Sequence, residues 1–258
     1  MKVLLYDCDG VLGDTEQYGH LVAFNRMWQE FGVPWSWSVE QYGAKLAIGG
    51  GKERMASLWD DADFRAAVSD LPATRDEYVE IVAGWHKRKS ALYKELILSG
   101  KIPPRPGVKR LAREALDAGW TLGVCSTSAK PSVEAVLGHV MGDLAERFSL
   151  LLAGDMVKAK KPAPDIYNMA AEQLGVSPAE CLVIEDSRNG LRAAHAAGMK
   201  CLVTVSGYTR DEDFSEAALV VTCLGDPGGE QAEVLANRSA AQPGGTITVG
   251  DLEQILSG

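Results

Sequence analysis

The chain has 258 residues, 46% of them hydrophobic and 24% charged, which suits one or two domains whose core needs no staples. This composition excludes a disordered, collagen-like or coiled-coil chain, and no apolar run approaches the ~18 residues of a membrane span. With 26 Lys and Arg against 35 Asp and Glu, the net charge is -9, so nucleic acid is not an expected partner and an anionic substrate must find local cations.

In chain order, Val3 to Tyr6 is predicted to be a buried strand, ending in Asp7-Cys8-Asp9-Gly10-Val11. Residues two apart in an extended chain point to the same side. Asp7 and Asp9 therefore repel unless one is protonated or a cation bridges them. The alternative is a plain turn at Asp9-Gly10. An EF-hand is excluded, because Val11 and Tyr18 stand where oxygen ligands are required.

Residues 16–101 read as a helical insertion with its own core. Leu21, Phe24, Trp28 and Phe31 form one stripe at helical spacing, and Tyr78, Ile81, Val82, Trp85, Leu92 and Leu96 another. Five of the six tryptophans lie in this stretch, as expected of core packing. Glu16 and His20 are one turn apart on one helical face, either a hydroxyl-reading pair or a solvated helix start. The run Gly49-Gly50-Gly51-Lys52-Glu53-Arg54 is neither a P-loop nor a dinucleotide fingerprint, since Leu46, Glu53 and Arg54 break those patterns. It reads either as a flexible loop or as a backbone cradle for a phosphate, with Lys52 and Arg54 adding charge. His86 and Lys89 are weaker candidates, because their helix also carries a solvated face. Pro103 to Gly107 is the expected return hinge.

Further strands are predicted at Thr121 to Cys125, Ser149 to Ala153, Cys181 to Ile184 and Cys201 to Val205, alternating with helical patterns. That alternation predicts an α/β fold with a doubly wound parallel sheet and ligands at the carboxyl ends of its strands. Ser126-Thr127-Ser128 offers hydroxyls and backbone N–H groups to a phosphate, or caps a helix. In Lys161-Pro162-Ala163-Pro164-Asp165-Ile166-Tyr167 the prolines fix a turn at a helix start, holding Lys161 as a point charge for a phosphoryl group. Lys158 and Lys160 are expected in solvent. Glu185-Asp186-Ser187 puts two acids at the end of a buried strand, costly without a partner such as Mg²⁺, the alternative being a helix cap. His139 and His195 are assigned no role. Ala236 to Gly245 is expected to be a flexible loop, followed by a short helix from Asp251 to Leu256. The five cysteines, Cys8, Cys125, Cys181, Cys201 and Cys223, are expected to be reduced and buried.

Taken together, an Asp-x-Asp, a Ser/Thr, a Lys and an acidic pair at four strand ends resemble the haloacid dehalogenase superfamily of phosphohydrolases. The resemblance implies a Rossmann-like catalytic core, residues 1–15 and 102–258, with an all-helical cap, residues 16–101. Asp9, a second carboxylate that the dehalogenases lack, points to the phosphatase and phosphomutase branch. Asp14-Thr15-Glu16, His20, the glycine run, His86-Lys87-Arg88-Lys89, Arg105-Pro106-Gly107-Val108, Val124 to Ser128 and Ser206-Gly207-Tyr208-Thr209 further resemble the CbbY-like family. That family's characterised members are xylulose-1,5-bisphosphate phosphatases of bacteria and plastids, which remove an inhibitor of Rubisco. The Ala236 to Gly245 excursion is unlike the compact family tail.

The resemblance implies that Asp7 attacks phosphorus, that Asp9 is the acid and base, and that Ser126 and Lys161 stabilise the phosphoryl oxygens. It implies Mg²⁺ on Asp7, the Asp9 carbonyl and Asp186, with Glu185 one shell further out. Glu16, His20, Gly50, Gly51, Lys52, Arg54, Ser126, Thr127 and Lys161 are the expected contacts of a sugar bisphosphate, bound by a monomer. The rival classes are a phosphosugar mutase and a non-catalytic phosphosugar-binding protein. The second would lack at least one of Asp7, Asp9, Lys161 or Asp186, and all are present. No signal peptide is visible, and the expected location is the chloroplast stroma if a transit peptide was removed, otherwise the cytoplasm.

Overall fold

Short apolar runs build the sheet. In the computed structural model, which describes residues 1–48 and 50–258 apart from the side chain of Asp155, the strands are β1 (Val3–Tyr6), β2 (Thr121–Ser126), β3 (Leu150–Ala153), β4 (Cys181–Glu185), β5 (Lys200–Thr204), β6 (Leu219–Val221) and β7 (Val234–Asn237). Their order is β3-β2-β1-β4-β5-β6-β7. All neighbours pair in parallel except β6 with β7, which are antiparallel. A parallel sheet covered on both faces needs strands apolar on both sides, and every side chain of β1 is buried. One glycine is required by this packing. A Cβ on Gly123 would lie 2.9 Å from Leu5 Cδ2, in the register where Gly123 pairs with Leu5.

Two compact units result, one of Met1–Asp14 with Pro103–Gly258 and one of Thr15–Ile102. Thr15 and Ile102, expected in the α/β part, belong to the helical one. Ile102 is buried at Gly19, where a Cβ would come 3.0 Å from its Cδ1. In the α/β unit the helices are α6 (Val108–Asp117), α7 (Lys130–Met141), α8 (Asp165–Leu174), α9 (Arg188–Ala196) and α10 (Val249–Ser257). Their apolar faces cover the sheet, with Ile166, Tyr167, Leu191 and Ala194 in one core cluster with Leu5, Val183 and Val203. The expected flexible loop from Ala236 is corrected. Ala236 and Asn237 belong to β7, Ala241 is fully buried, and the Ala232 N–H donates to Gly245 O at 2.7 Å. All five cysteines are free and buried.

The chain leaves and re-enters the α/β unit at one place. The Asp14 N–H donates to Pro103 O at 3.1 Å, and the Arg105 N–H donates to Leu12 O at 3.0 Å. Within the helical unit a π-helical turn, Glu16–Leu21, runs into α1 (Val22–Glu30), followed by α2 (Val39–Lys45), α3 (Gly51–Ala56), α4 (Ala62–Ala67) and α5 (Arg75–Leu98). Its core is aromatic. Trp28 and Trp37 meet edge to face at 4.7 Å, and Phe24 packs against both.

Two stripe residues are corrected. Phe31 and Ile81 are exposed, because α1 ends at Glu30 and the buried face of α5 runs Tyr78, Val82, Trp85, Lys89, Leu92, Leu96. Lys89, expected near a solvated face, is therefore buried within the stripe. No helix of the described residues is long and apolar enough to cross a membrane.

Candidate active site

Tyr6 pairs with Val124 on one side and Ile184 on the other, so the sheet register sets Asp7 level with Cys125 and Glu185. The Asp7 N–H extends the ladder by donating to Ile184 O at 2.9 Å. Here the strand order reverses, β2 lying on one side of β1 and β4 on the other, where open α/β sheets bind ligands.

Lys161 joins the three strand ends. Its ammonium donates to Asp7 Oδ1 at 2.6 Å, to Glu185 Oε1 at 2.6 Å and to Cys125 O at 2.8 Å. Lys158 and Lys160 are exposed, as expected. Burial alone would lower the Lys161 ammonium, but the two carboxylates outweigh it and hold it above its ordinary range. Burial pushes the Asp7 carboxyl up to about 7 against the pull of Lys161, with Glu185 and Asp9 adding to the rise.

Two glycines make room for the acids. Gly10 has φ 78, and a Cβ there would stand 2.1 Å from Asp186 Oδ2. The Asp9-Gly10 turn and the acidic cluster are thus one feature. A Cβ on Gly190, in the first turn of α9, would overlap the Glu185 carboxylate at 1.9–2.0 Å. Glu185 is buried and satisfied on both oxygens. Oε1 accepts from Lys161 and from the Tyr167 hydroxyl at 2.7 Å, and Oε2 accepts from the Asp186 N–H at 3.2 Å and Ser187 Oγ at 3.4 Å. Ser187 also caps α9, accepting from the Gly190 N–H at 3.1 Å. The cap and the acidic pair therefore coexist.

Asp7, Glu185 and Asp186 present carboxylate oxygens all within 4.8 Å of one another. Three buried carboxylates face one ammonium, leaving negative charge that a dication would balance. The donors are hard oxygens, the set that suits Mg²⁺. The residues present fit that ion. Asp9 is held on the other side, accepting from the Ser128 hydroxyl, while Ser126 Oγ accepts from the Ser128 N–H at 3.1 Å. Ser126 is buried and Thr127 half-buried beside it.

The helical unit brings together a second set. Arg54 donates through Nε to Ile48 O at 2.9 Å and through NH1 to the Tyr42 hydroxyl at 3.0 Å, and it lies 3.9 Å from Glu16. The buried Tyr42 hydroxyl in turn donates to Glu16. His20 meets Lys89 Nζ at 2.6 Å through Nδ1 and stacks on Tyr93 at 3.9 Å. Burial, then Lys89 and Arg54, holds His20 well below its ordinary range, so its imidazole is neutral and accepts from the ammonium. Gly50 caps α3 with φ 93, and the Glu53 carboxylate lies over it, while Gly51 approaches Phe24 and His86. Lys52 is exposed. Gly49, part of the predicted cradle, lies outside the described residues. His139 and His195 are exposed.

Several residues of these clusters, Ser128, Tyr167, Tyr42 and Tyr93 among them, were not singled out by sequence. Ser128 and Tyr167 stood inside quoted runs, but their partners, Asp9 and Glu185, lie 119 and 18 positions away. Tyr42 offered no signal beyond an aromatic in a helical stretch.

The comparisons agree with this geometry. A family model described as haloacid dehalogenase-like hydrolase matches residues 1–198. A CBBY-like protein of Arabidopsis thaliana is 47% identical over 234 residues, covering 90% of this chain and 72% of that one. The crystal structure of a CbbY variant from Rhodobacter sphaeroides in complex with xylulose-(1,5)bisphosphate superposes with TM-score 0.74 at 37% identity, covering 89% of this chain and 97% of that one. CbbY from the same organism in complex with phosphate gives 0.73 at 38% identity, covering 86% and 94%. The Asp7, Lys161 and acidic-pair geometry at the sheet's reversal point and these matches have one reading: the chain belongs to the haloacid dehalogenase-like hydrolases, within their CbbY-like branch, and is a phosphatase.

Proposed function

We propose that the protein is a Mg²⁺-dependent sugar-bisphosphate phosphatase that removes the 1-phosphate of xylulose 1,5-bisphosphate through an aspartyl-phosphate. The observation that carries the reading is Asp7 at the end of β1, in contact with Lys161 and grouped with Asp186. The substrate is suggested by the relative of known structure that holds xylulose-(1,5)bisphosphate.

An Asp7 carboxylate oxygen attacks phosphorus, and the bond from phosphorus to the sugar oxygen breaks. Asp9, protonated, gives its proton to the leaving oxygen. The Asp9 carboxylate then takes a proton from water, whose oxygen attacks phosphorus, and phosphate leaves Asp7. Lys161 and the Ser126–Ser128 run supply positive charge and donors to the phosphoryl oxygens. Asp7, the Asp9 carbonyl and Asp186 would hold Mg²⁺, which when bound neutralises phosphate charge and favours in-line geometry. With this substrate the protein works where carbon is fixed, in a stroma or a cytoplasm.

The test is phosphate release from ketose 1,5-bisphosphates, hexose phosphates and glycolate phosphate, each with chelator and with Mg²⁺ restored. Activity is expected to vanish in chelator, return with Mg²⁺ and favour xylulose 1,5-bisphosphate. Full activity in excess chelator, or equal rates across the panel, would overturn the corresponding part of the reading.

Arg54 is the cation expected to meet the non-reacting phosphate, and Tyr42 and Ile48 already fix its fork. One hydrogen bond to a charged group contributes ~1.5–3 kcal/mol. Arg54→Ala is therefore expected to lower kcat/KM for the bisphosphate roughly 10- to 150-fold and to spare a monophosphate. Equal losses on both substrates would make Arg54 a structural residue of its helical unit.

A further inference from the structure

We infer that Tyr167 is a positioning residue for the phosphoryl-transfer step, acting through Glu185 to keep Lys161 available to the transferred group. The inference rests on the proposed role of Lys161. Lys161 has three ammonium protons, and in the structure each has an acceptor: Asp7, Glu185 and the Cys125 carbonyl. A phosphoryl group approaching Asp7 therefore finds no spare proton. It gains one only if one of those acceptors gives Lys161 up.

The acceptor that can release Lys161 at least cost is the one with the most other donors. A buried carboxylate oxygen left without a donor is costly, and one that keeps a donor is not. Glu185 keeps three when Lys161 leaves: the Tyr167 hydroxyl, the Asp186 N–H and Ser187 Oγ. Only the Tyr167 bond, at 2.7 Å, falls on Oε1, the oxygen that Lys161 occupies. The Asp186 and Ser187 bonds are longer and fall on Oε2. Tyr167 is thus the group that makes the Glu185–Lys161 bond exchangeable.

Its surroundings fix it for that task. Tyr167 is fully buried in the core cluster beneath the sheet, on α8, the helix that starts just after Lys161. Its ring lies 5.0 Å from the Lys161 ammonium, so one side chain touches both members of the pair, the ring facing the cation and the hydroxyl the anion. On the other side the carboxylate occupies the space that a side chain at Gly190 would fill, since a Cβ there would overlap it.

Removing the hydroxyl alone leaves Oε1 to Lys161. The ammonium is then held on Glu185 and shared less with the phosphoryl oxygens. Tyr167→Phe is expected to lower kcat about 10- to 100-fold, the scale of one charge-assisted hydrogen bond, while KM changes less than about 3-fold. Calorimetric titration with orthovanadate, a trigonal-bipyramidal mimic of the transferred group, should show a loss of affinity of similar size, a readout independent of turnover.

A double-mutant cycle tests the route. In a Lys161→Met background, Tyr167→Phe should cost less than about 2-fold further, because its target is gone. The same cost in both backgrounds, no loss from Tyr167→Phe, or equal changes in kcat and KM would overturn the proposal. If Lys161→Met itself keeps wild-type kcat, the reading of Lys161 fails, and the proposal with it. Should Tyr167→Phe not fold, Glu185→Gln in the same cycle takes its place, with non-additivity against Lys161→Met expected and additivity overturning.

Discussion

Asp7→Asn is expected to lower kcat by at least about 10⁴-fold while the protein stays folded, since the reacting oxygen is lost and the shape is kept. Substantial phosphate release by purified Asp7→Asn protein would remove the covalent route. The same substitution has a second signature in metal-free protein. The Asp7 carboxyl is held at about 7 in the fold against an ordinary 3.8. The folded protein therefore binds that proton more tightly than the unfolded chain does. The stability this supplies is fully present below about pH 4 and is lost as the pH rises through 7. Asparagine has no such dependence. The difference in melting temperature, variant minus wild type, should therefore grow between about pH 4 and pH 7 and stay level above. A constant difference across that range would mean that Asp7 is an ordinary carboxylate in the metal-free fold.

Lys161→Met is expected to lower kcat about 10²- to 10³-fold, the scale of losing a donor aimed at developing charge in a dry site. It should also destabilise the metal-free protein. Lys161, Asp7 and Glu185 have side chains only 7%, 12% and 1% exposed, so removing the cation leaves two carboxylates facing each other with little water. Breaking a buried pair in this way costs ~3–5 kcal/mol. Saturating Mg²⁺ should restore part of that loss by engaging Asp7. Urea unfolding with and without Mg²⁺ measures both. A variant as stable as wild type without Mg²⁺ would mean that Lys161 does not hold the two acids together.

Much of the α/β unit was legible because buried parallel strands must be apolar on both faces. Val3 to Tyr6 and Cys181 to Ile184 stand out for that reason, and Asp7, Ser126 and Glu185 interrupt or follow such runs at a polar edge. β6 and β7 escaped notice for the converse reason. β6 has three residues, and β7 is an edge strand whose Val234 and Leu235 are exposed, so neither carries a periodic signal. In the helical unit, Lys89 was misjudged because a lysine in a stripe reads as solvated. Its burial depends on His20 and on the rings of Phe24 and Tyr93, which only the fold brings to it. Phe31 erred the other way, since periodicity does not show where a helix stops. The positions of Asp7, Asp9, Lys161 and Asp186 could be read from local motifs. The pairing of Tyr42 with Arg54, and of Tyr167 with Glu185, arises between helices or between a helix and a strand and has no local trace.

The place where the chain leaves and re-enters the α/β unit has a consequence for how such proteins diversify. Gly13 bridges Pro104, and Asp14 and Pro103 are joined by a backbone hydrogen bond, so the two cut ends of the catalytic unit already sit side by side. Closing a chain between ends that nearly touch costs little conformational entropy, and that cost grows only slowly with the length of what is threaded between them. The inserted segment can therefore lengthen, shrink or be exchanged while the strand ends at Asp7 and Asp186 and the turn at Lys161 feel no tension. The unit that holds Asp7, Lys161 and Asp186 thus tolerates change in the segment spliced between Asp14 and Pro103 without re-registering its sheet.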